Sequence, residues 1–196
     1  MNRTAYVLTT DIKCERAIYS KKVLENIGFM VQLLNCIPMH DKVLSNKKSM
    51  QMIYKTIAEG YDNYAYVFED DIEIHTPIHL KEIIEYEKIT PNFFYLGMCE
   101  INSQFVKKTE THIGGYPVHT ISGNVRGLHA IGISKEGAHL LLNFSMASNY
   151  AYMDMILEDF SRQYPAPIVR YDLESYIRGH KGILFQNRKK FPSLIG

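Results

Sequence analysis

The sequence has 196 residues, a formal net charge of +1, 46% hydrophobic residues and 22% charged residues. That length fits one domain of roughly 100–200 residues, and the near-neutral charge excludes both a basic field for nucleic acid and a polybasic arm for anionic lipid. No apolar run approaches the ~18 residues of a membrane span; the six apolar or small residues between Met1–Thr4 and Asp11 are too few for a secretory signal, and Cys14, Cys36 and Cys99 form no C-x-x-C pair, so reduced thiols in a cytoplasmic setting are expected.

In chain order, Ala5–Thr10 reads as a buried strand ending at Asp11. Ala17, Ile18, Val23, Leu24 and Ile27 recur at helical spacing and stop at Gly28. Met30–Ile37 is a second short apolar run, closed by Pro38, and a second helix through Met50, Ile53, Tyr54, Ile57 and Ala58 ends at Gly60. Tyr64–Phe68 is a third strand that runs into Glu69-Asp70-Asp71, followed by a helix from His79 to Lys88 and a strand at Phe93–Met98. Strict strand–helix alternation predicts an α/β fold with a mainly parallel central sheet flanked by helices. Such sheets bind ligands beyond the carboxyl ends of their strands, where the three acids fall, so residues 1–100 read as a nucleotide-binding half.

The second half, 101–196, is less regular. Glu100–Gly115 reads as a polar loop, and Tyr116–Ile121 and Leu128–Ser134 as strands forming a hairpin-like pair. Gly137–Phe144 reads as a buried helix, Tyr152–Phe160 as another, and Ile168–Leu173 as a last strand. The basic, glycine-bearing tail from Gly179 to Gly196 reads as a flap over an acceptor half.

Three adjacent carboxylates repel one another and are costly to desolvate unless a cation sits among them. Hard oxygen donors suit Mg²⁺ or Mn²⁺, which typically complete their shells with water and phosphate oxygens. The competing reading of Glu69-Asp70-Asp71 is a solvated acidic turn that leads into the next helix.

The acidic triplet closing a strand resembles the E-D-D or D-x-D motif of GT-A glycosyltransferases. Further stretches are similar to glycosyltransferase family 25, the lipooligosaccharide and collagen glycosyltransferase type: Thr9-Thr10-Asp11 with Arg16, Leu96-Gly97, the run Gly127–Leu142, and Asp154 opening a helix. The size also resembles small glycosyltransferases of large DNA viruses. The resemblance spans roughly residues 4–160 and implies a GT-A fold, a nucleotide-sugar donor (a UDP-sugar favoured), a glycan or protein acceptor, and inverting hexosyl transfer aided by Mn²⁺ or Mg²⁺. It further implies Asp71 as the metal ligand, Glu69 acting through water or ribose, Asp70 on sugar or ribose hydroxyls, and Asp154 as the base.

Around these, Thr9, Thr10, Asp11 and Arg16 stand at the end of strand one, where they hold donor base and ribose or, equally, supply a capping acid and a surface arginine. His180 is a candidate late metal ligand, and Lys181 and Arg188 are candidates to neutralise a diphosphate; a plain basic tail is the alternative. Glu158 and Asp159, one turn after Asp154, are expected to face solvent, and His129 to be a hydrogen-bonded core histidine. With 14 Tyr and no Trp, acceptor stacking falls to Tyr116, Tyr150 or Tyr152. Two other functions compete. A nucleotidyltransferase would carry a glycine-rich loop after strand one, which Leu8–Cys14 lacks, and a binding domain of the same fold would not need an intact triplet.

Overall fold

The computed structural model describes residues 3–100 and 102–192, leaving the remaining residues, including the extreme ends of the proposed start and tail, outside the described part. The first half follows the alternation. β1 (Thr4–Thr9) leads to α1 (Glu15–Ile27), β2 (Met30–Asn35), α2 (Lys42–Glu59) and β3 (Tyr64–Glu69). The local signals are physical. Gly28 takes the left-handed φ of 113° that closes α1, and the Asp41 side chain accepts the amides of Val43 and Leu44 to start α2. Both crossovers return the chain in the same direction, so β1 lies between β2 and β3 with both pairings parallel.

Beyond β3 come β4 (Ile72–Ile74), α3 (Leu80–Glu87), β5 (Phe93–Glu100), β6 (Val106–Ile113), β7 (Tyr116–Ile121) and β8 (Val125–Ser134). The chain closes with α4 (Lys135–Ala147), α5 (Met153–Gln163), β9 (Ala166–Ile168), β10 (His180–Gly182) and β11 (Leu184–Gln186). Among the described residues the main sheet runs β2-β1-β3-β8-β5-β9-β7-β6, with β10 also on β5, and β11 pairs β4 separately.

This sheet is mixed, which corrects the expectation of a mainly parallel one. β8 enters the slot between β3 and β5 and pairs antiparallel with both. It arrives from β7 through a tight turn at Gly123 (φ 72°) and Asn124 (φ 53°), without the helical crossover that a parallel return needs. Four other readings are corrected with it. Residues 106–113 form an edge strand paired with β7, so Glu100–Gly115 is not simply a loop, and Tyr116–Ile121 and Leu128–Ser134 are not partners. The last predicted strand is the short Ala166–Ile168, the chain turning at Arg170 with φ 55°. The tail is no flap: Ile183 and Leu184 are fully buried.

The tail packs because Gly97 has no side chain; a Cβ there would collide with the Leu184 carbonyl, and one at Gly182 would press on the Leu96 carbonyl. β10 and β11 therefore lie directly on β5 and β4. Helices cover both faces. α1 and α3 enclose a cluster with Val7, Tyr66, Phe68 and Phe94, while α2, α4 and α5 enclose one with Tyr54, Val67, Ile131 and Phe160. No helix among the described residues is long and apolar enough to cross a membrane.

Candidate functional site

The acids stand where the alternation puts them. β3 is buried from Tyr64 to Phe68 and delivers Glu69 to the carboxyl edge of the sheet, with Asp70 and Asp71 in the turn into β4. The turn is held from several sides. Ser20 of α1 donates to the Asp70 carbonyl at 2.8 Å, and the Asn187 amide donates to the Asp71 carbonyl at 2.7 Å. Asp70 and Asp71 are 5% and 2% exposed, so this is not the solvated turn of the competing reading.

Cations and amide donors gather on the buried carboxylates. Arg16, in the first turn of α1, sets Nη2 at 2.7 Å from Asp70 and 3.5 Å from Asp71. Thr9 donates its hydroxyl to Asp70 at 2.5 Å. Arg188, just past β11, lies 3.4 Å from the Asp71 oxygen that also faces Arg16. Gln186 donates one amide nitrogen to Glu69 at 2.6 Å and to Asp71 at 3.5 Å, while its carbonyl oxygen accepts from Arg188 at 2.9 Å.

With all three carboxylates ionised, two guanidiniums would leave the cluster one negative charge in excess. Burial, then the Asp71 charge, pushes the Glu69 carboxyl up to about 8, and burial raises Asp71 against the opposing pull of Arg188 and Arg16. Only when Glu69 ionises does the cluster carry charge that a further cation would offset.

A cavity of about 70 Å³ opens onto the acids, lined by Thr9, Thr10, Arg16, Cys36, Asn46 and Arg188 among others. It shares Thr10, Cys36 and Asn46 with a larger cleft of about 430 Å³ walled by Ile37, Pro38, Met39 and the start of α2. The smaller space admits several water-sized groups.

The donor set fits a hard divalent ion in chemistry: carboxylate oxygens, largely buried, at the edge of a cavity. Among the described residues no three Asp, Glu, His or Cys side chains converge into a complete metal cage. Mg²⁺-type ions are usually held by one or two carboxylates plus water and substrate phosphates, so an open, two-carboxylate seat at Glu69 and Asp71 is compatible with one.

The other predicted residues divide. Thr9, Thr10, Arg16 and Arg188 line the cavity with the triplet. Asp11 is exposed and accepts the Lys13 amide at 2.8 Å in the turn before α1, whose N-cap is Cys14, so it neither lines the cavity nor caps the helix. Lys181 pairs with Glu174 at 2.9 Å and sits over the Tyr171 ring, engaged within the tail. His180 faces Cys99, with Nε2 3.1 Å from the sulfur, and stacks on His129 at 5.6 Å between ring centroids. It makes no hydrogen bond or ion pair with the triplet, although the Arg188 charge, after burial, lowers its pKa. His129 is fully buried as expected, but neither ring nitrogen has a hydrogen-bond partner, and burial followed by the His180 charge lowers it to about 3.

Asp154 is half-buried in the first turn of α5, with one oxygen accepting the Met155 amide at 2.8 Å. Burial and then the Glu69 charge push the Cys99 thiol up to about 12, with smaller contributions from Asp154 and Asp71. Glu158 is a correction: it is 8% exposed and bridges Arg126 and Arg162, so it does not face solvent. Asp159 pairs with Arg162. Tyr116 is covered by the Arg170 guanidinium at 3.3 Å, whereas Tyr150 and Tyr152 are 40% and 52% exposed just before Asp154.

Gln186 and Asn187 belong to the site and were not legible from the sequence. Gln186 sits in an ordinary Leu-Phe-Gln-Asn run, and only the pairing of β11 with β4 (Gln186 opposite Ile72) brings it to the acids.

Neither a family model nor a curated protein matches the sequence. Among solved structures, the chain is similar to a glycosyltransferase involved in the glycosylation of the major capsid of PBCV-1. The TM-score is 0.48 at 11% identity, over 82% of this chain and 76% of that one. A likeness of that degree assigns no residue and no reaction.

Proposed function

We propose that the protein is a GT-A glycosyltransferase, similar to family 25, that moves a sugar from a nucleotide-diphosphate donor, a UDP-sugar favoured, to a glycan or protein hydroxyl with inversion. The observation that carries this reading is the acid triplet at the end of β3, almost fully buried in Asp70 and Asp71 and opening onto a cleft. Burying that much like charge has a steep cost, which Arg16 and Arg188 offset in part and a bound cation would offset further.

On this reading the nucleoside lies in the apolar cleft beside Ile37, Pro38 and Met39, and its phosphates extend past Thr10 toward the acids. A bound Mn²⁺ or Mg²⁺ would supply Lewis acidity toward the departing diphosphate. Asp71 and Glu69 would hold that ion, with Gln186 donating to both carboxylates. Arg188, partly exposed at the mouth, can neutralise phosphate charge that grows as the glycosidic bond breaks. Asp154, half-buried at the start of α5, would accept the proton of the acceptor hydroxyl, and the exposed Tyr150 and Tyr152 would offer ring faces to an acceptor sugar.

The test is a panel of nucleotide sugars incubated with protein and Mn²⁺ or EDTA, reading free nucleotide. Metal-dependent release from one donor, abolished by Asp71→Ala, supports the reading. Binding of nucleotide sugar with no turnover in any acceptor mixture would point instead to a binding domain.

A further inference from the structure

Resting on that reading, we infer that the divalent ion and the nucleotide diphosphate enter this site as a coupled pair, because Arg188 occupies the charge partner's place on Asp71 until a diphosphate draws it away. Four observations converge. The Asp71 oxygen that a cation would take already faces two guanidiniums, at 3.4 Å from Arg188 and 3.5 Å from Arg16. The two arginines differ in freedom. Arg16 is committed by its 2.7 Å pair with Asp70 and by donating to the Pro192 carbonyl, and its side chain is 13% exposed. Arg188 has no such second carboxylate among its described contacts, and its side chain is 38% exposed. It is the cation that can leave.

Gln186 couples the departure to the acids. Its carbonyl oxygen accepts from Arg188 while its amide nitrogen donates to Glu69 and Asp71, so the guanidinium and the carboxylates share one side chain. Gln186 is itself 5% exposed and anchored in β11, which pairs with β4 immediately after the acids. Arg188 can therefore swing while the strand stays.

The charge balance sets the order. A divalent ion approaching alone meets two resident cations already paired with Asp70 and Asp71. A diphosphate brings at least two negative charges and oxygen ligands. Arg188 moves onto those oxygens in a charge-assisted contact, Asp71 is released, and the ion then finds carboxylate and phosphate together. Each ligand thus lowers the other's cost of binding, and linkage makes the effect reciprocal.

The experiment is Mn²⁺ binding, followed by the loss of free-Mn²⁺ electron paramagnetic resonance signal, with and without UDP, then GDP. In the native protein, nucleotide is expected to tighten Mn²⁺ by about tenfold or more, within the usual range of coupling between sites. Arg188→Met is expected to bind Mn²⁺ alone about tenfold more tightly than the native protein and to lose most of the nucleotide enhancement. Arg188→Lys, which keeps a cation there, is expected to retain part of the enhancement. Mn²⁺ binding that is equally tight with and without nucleotide in the native protein, or an enhancement unchanged in Arg188→Met, would overturn the coupling while leaving the metal site standing. No Mn²⁺ binding in either protein under any condition would overturn both the coupling and the metal-dependent reading beneath it.

Discussion

Two buried groups titrate in opposite senses and give the metal-free protein a distinctive stability profile. Glu69 is pushed up to about 8 from an ordinary 4.5, so the folded state binds the extra proton between those values and stability falls as pH rises through them. His129 is held at about 3 against an ordinary 6.5, so the unfolded state binds the extra proton there and stability rises with pH. From about 4.5 to 6.5 the Glu69 and His129 slopes oppose each other, with His180, also lowered by burial, acting on the His129 side; below 4.5 the histidine slope is unopposed by Glu69. Above 6.5 only Glu69 acts, with Asp71 shifted the same way by burial.

Over the 1.5 units from 6.5 to 8, at about 1.4 kcal/mol per unit for one proton, the loss is roughly 2 kcal/mol. Glu69 keeps some contact with water, so that figure is a ceiling. With a urea slope of about 2 kcal/mol/M it moves the midpoint down by about 1 M. Urea unfolding followed by circular dichroism in EDTA at pH 5.5, 6.5 and 8 reads it directly. Glu69→Gln should flatten the fall above 6.5, and saturating Mn²⁺, which favours ionised carboxylates, should reverse it. A midpoint that holds or rises from 6.5 to 8 in the native protein, or one that falls just as far in Glu69→Gln, refutes the assignment.

Three further outcomes follow from particular contacts. Gly97→Ala drives a methyl into the Leu184 carbonyl and should cost about 1–3 kcal/mol by overpacking, seen as a lower thermal midpoint; an unchanged midpoint would mean that β10 and β11 are not seated on β5 as described. Gln186→Leu removes the amide shared by Glu69, Asp71 and Arg188 and should weaken Mn²⁺ binding in the presence of UDP by about tenfold while costing about 1–3 kcal/mol of stability, measured by titration and urea unfolding. Asp154→Asn should leave UDP affinity intact and reduce sugar transfer by about 100-fold or more; transfer at the native rate would remove Asp154 from the base role.

What the sequence made legible is what local physics controls. β1, α1, β2, α2 and β3 stand within a few residues of their predicted places because each has its own period and its own stop, such as Gly28 closing α1 and Gly60 following α2. The acid triplet was legible for the same reason, since an apolar strand ends and charge begins at one residue. The second half was not, because its order depends on contacts between distant residues. β8 in the slot between β3 and β5 has no local signature, and its glycine turn reads equally well as a hairpin with β7. β6 is an edge strand whose Lys107, Lys108 and Glu110 hide a strand period behind charges that suit an exposed edge.

The tail misled most. Its lysines and glycines look loose, yet Gly97 and Gly182 remove the side chains that would keep β10 and β11 off β5, and that close approach delivers Gln186 and Arg188 to acids more than 110 residues earlier. Lys181, one residue from His180, points into the tail because β10 alternates its faces, so adjacent predicted residues part company.

The most direct test is a crystal grown with Mn²⁺ and UDP, measured for the anomalous signal of manganese. The account predicts a peak at about 2.1 Å from an Asp71 carboxylate oxygen, typical of a small hard divalent ion, with diphosphate oxygens in its shell and Arg188 turned onto the phosphates. Nucleotide bound in the cleft with Asp71 still paired to Arg16 and Arg188 and no peak beside it would contradict the account.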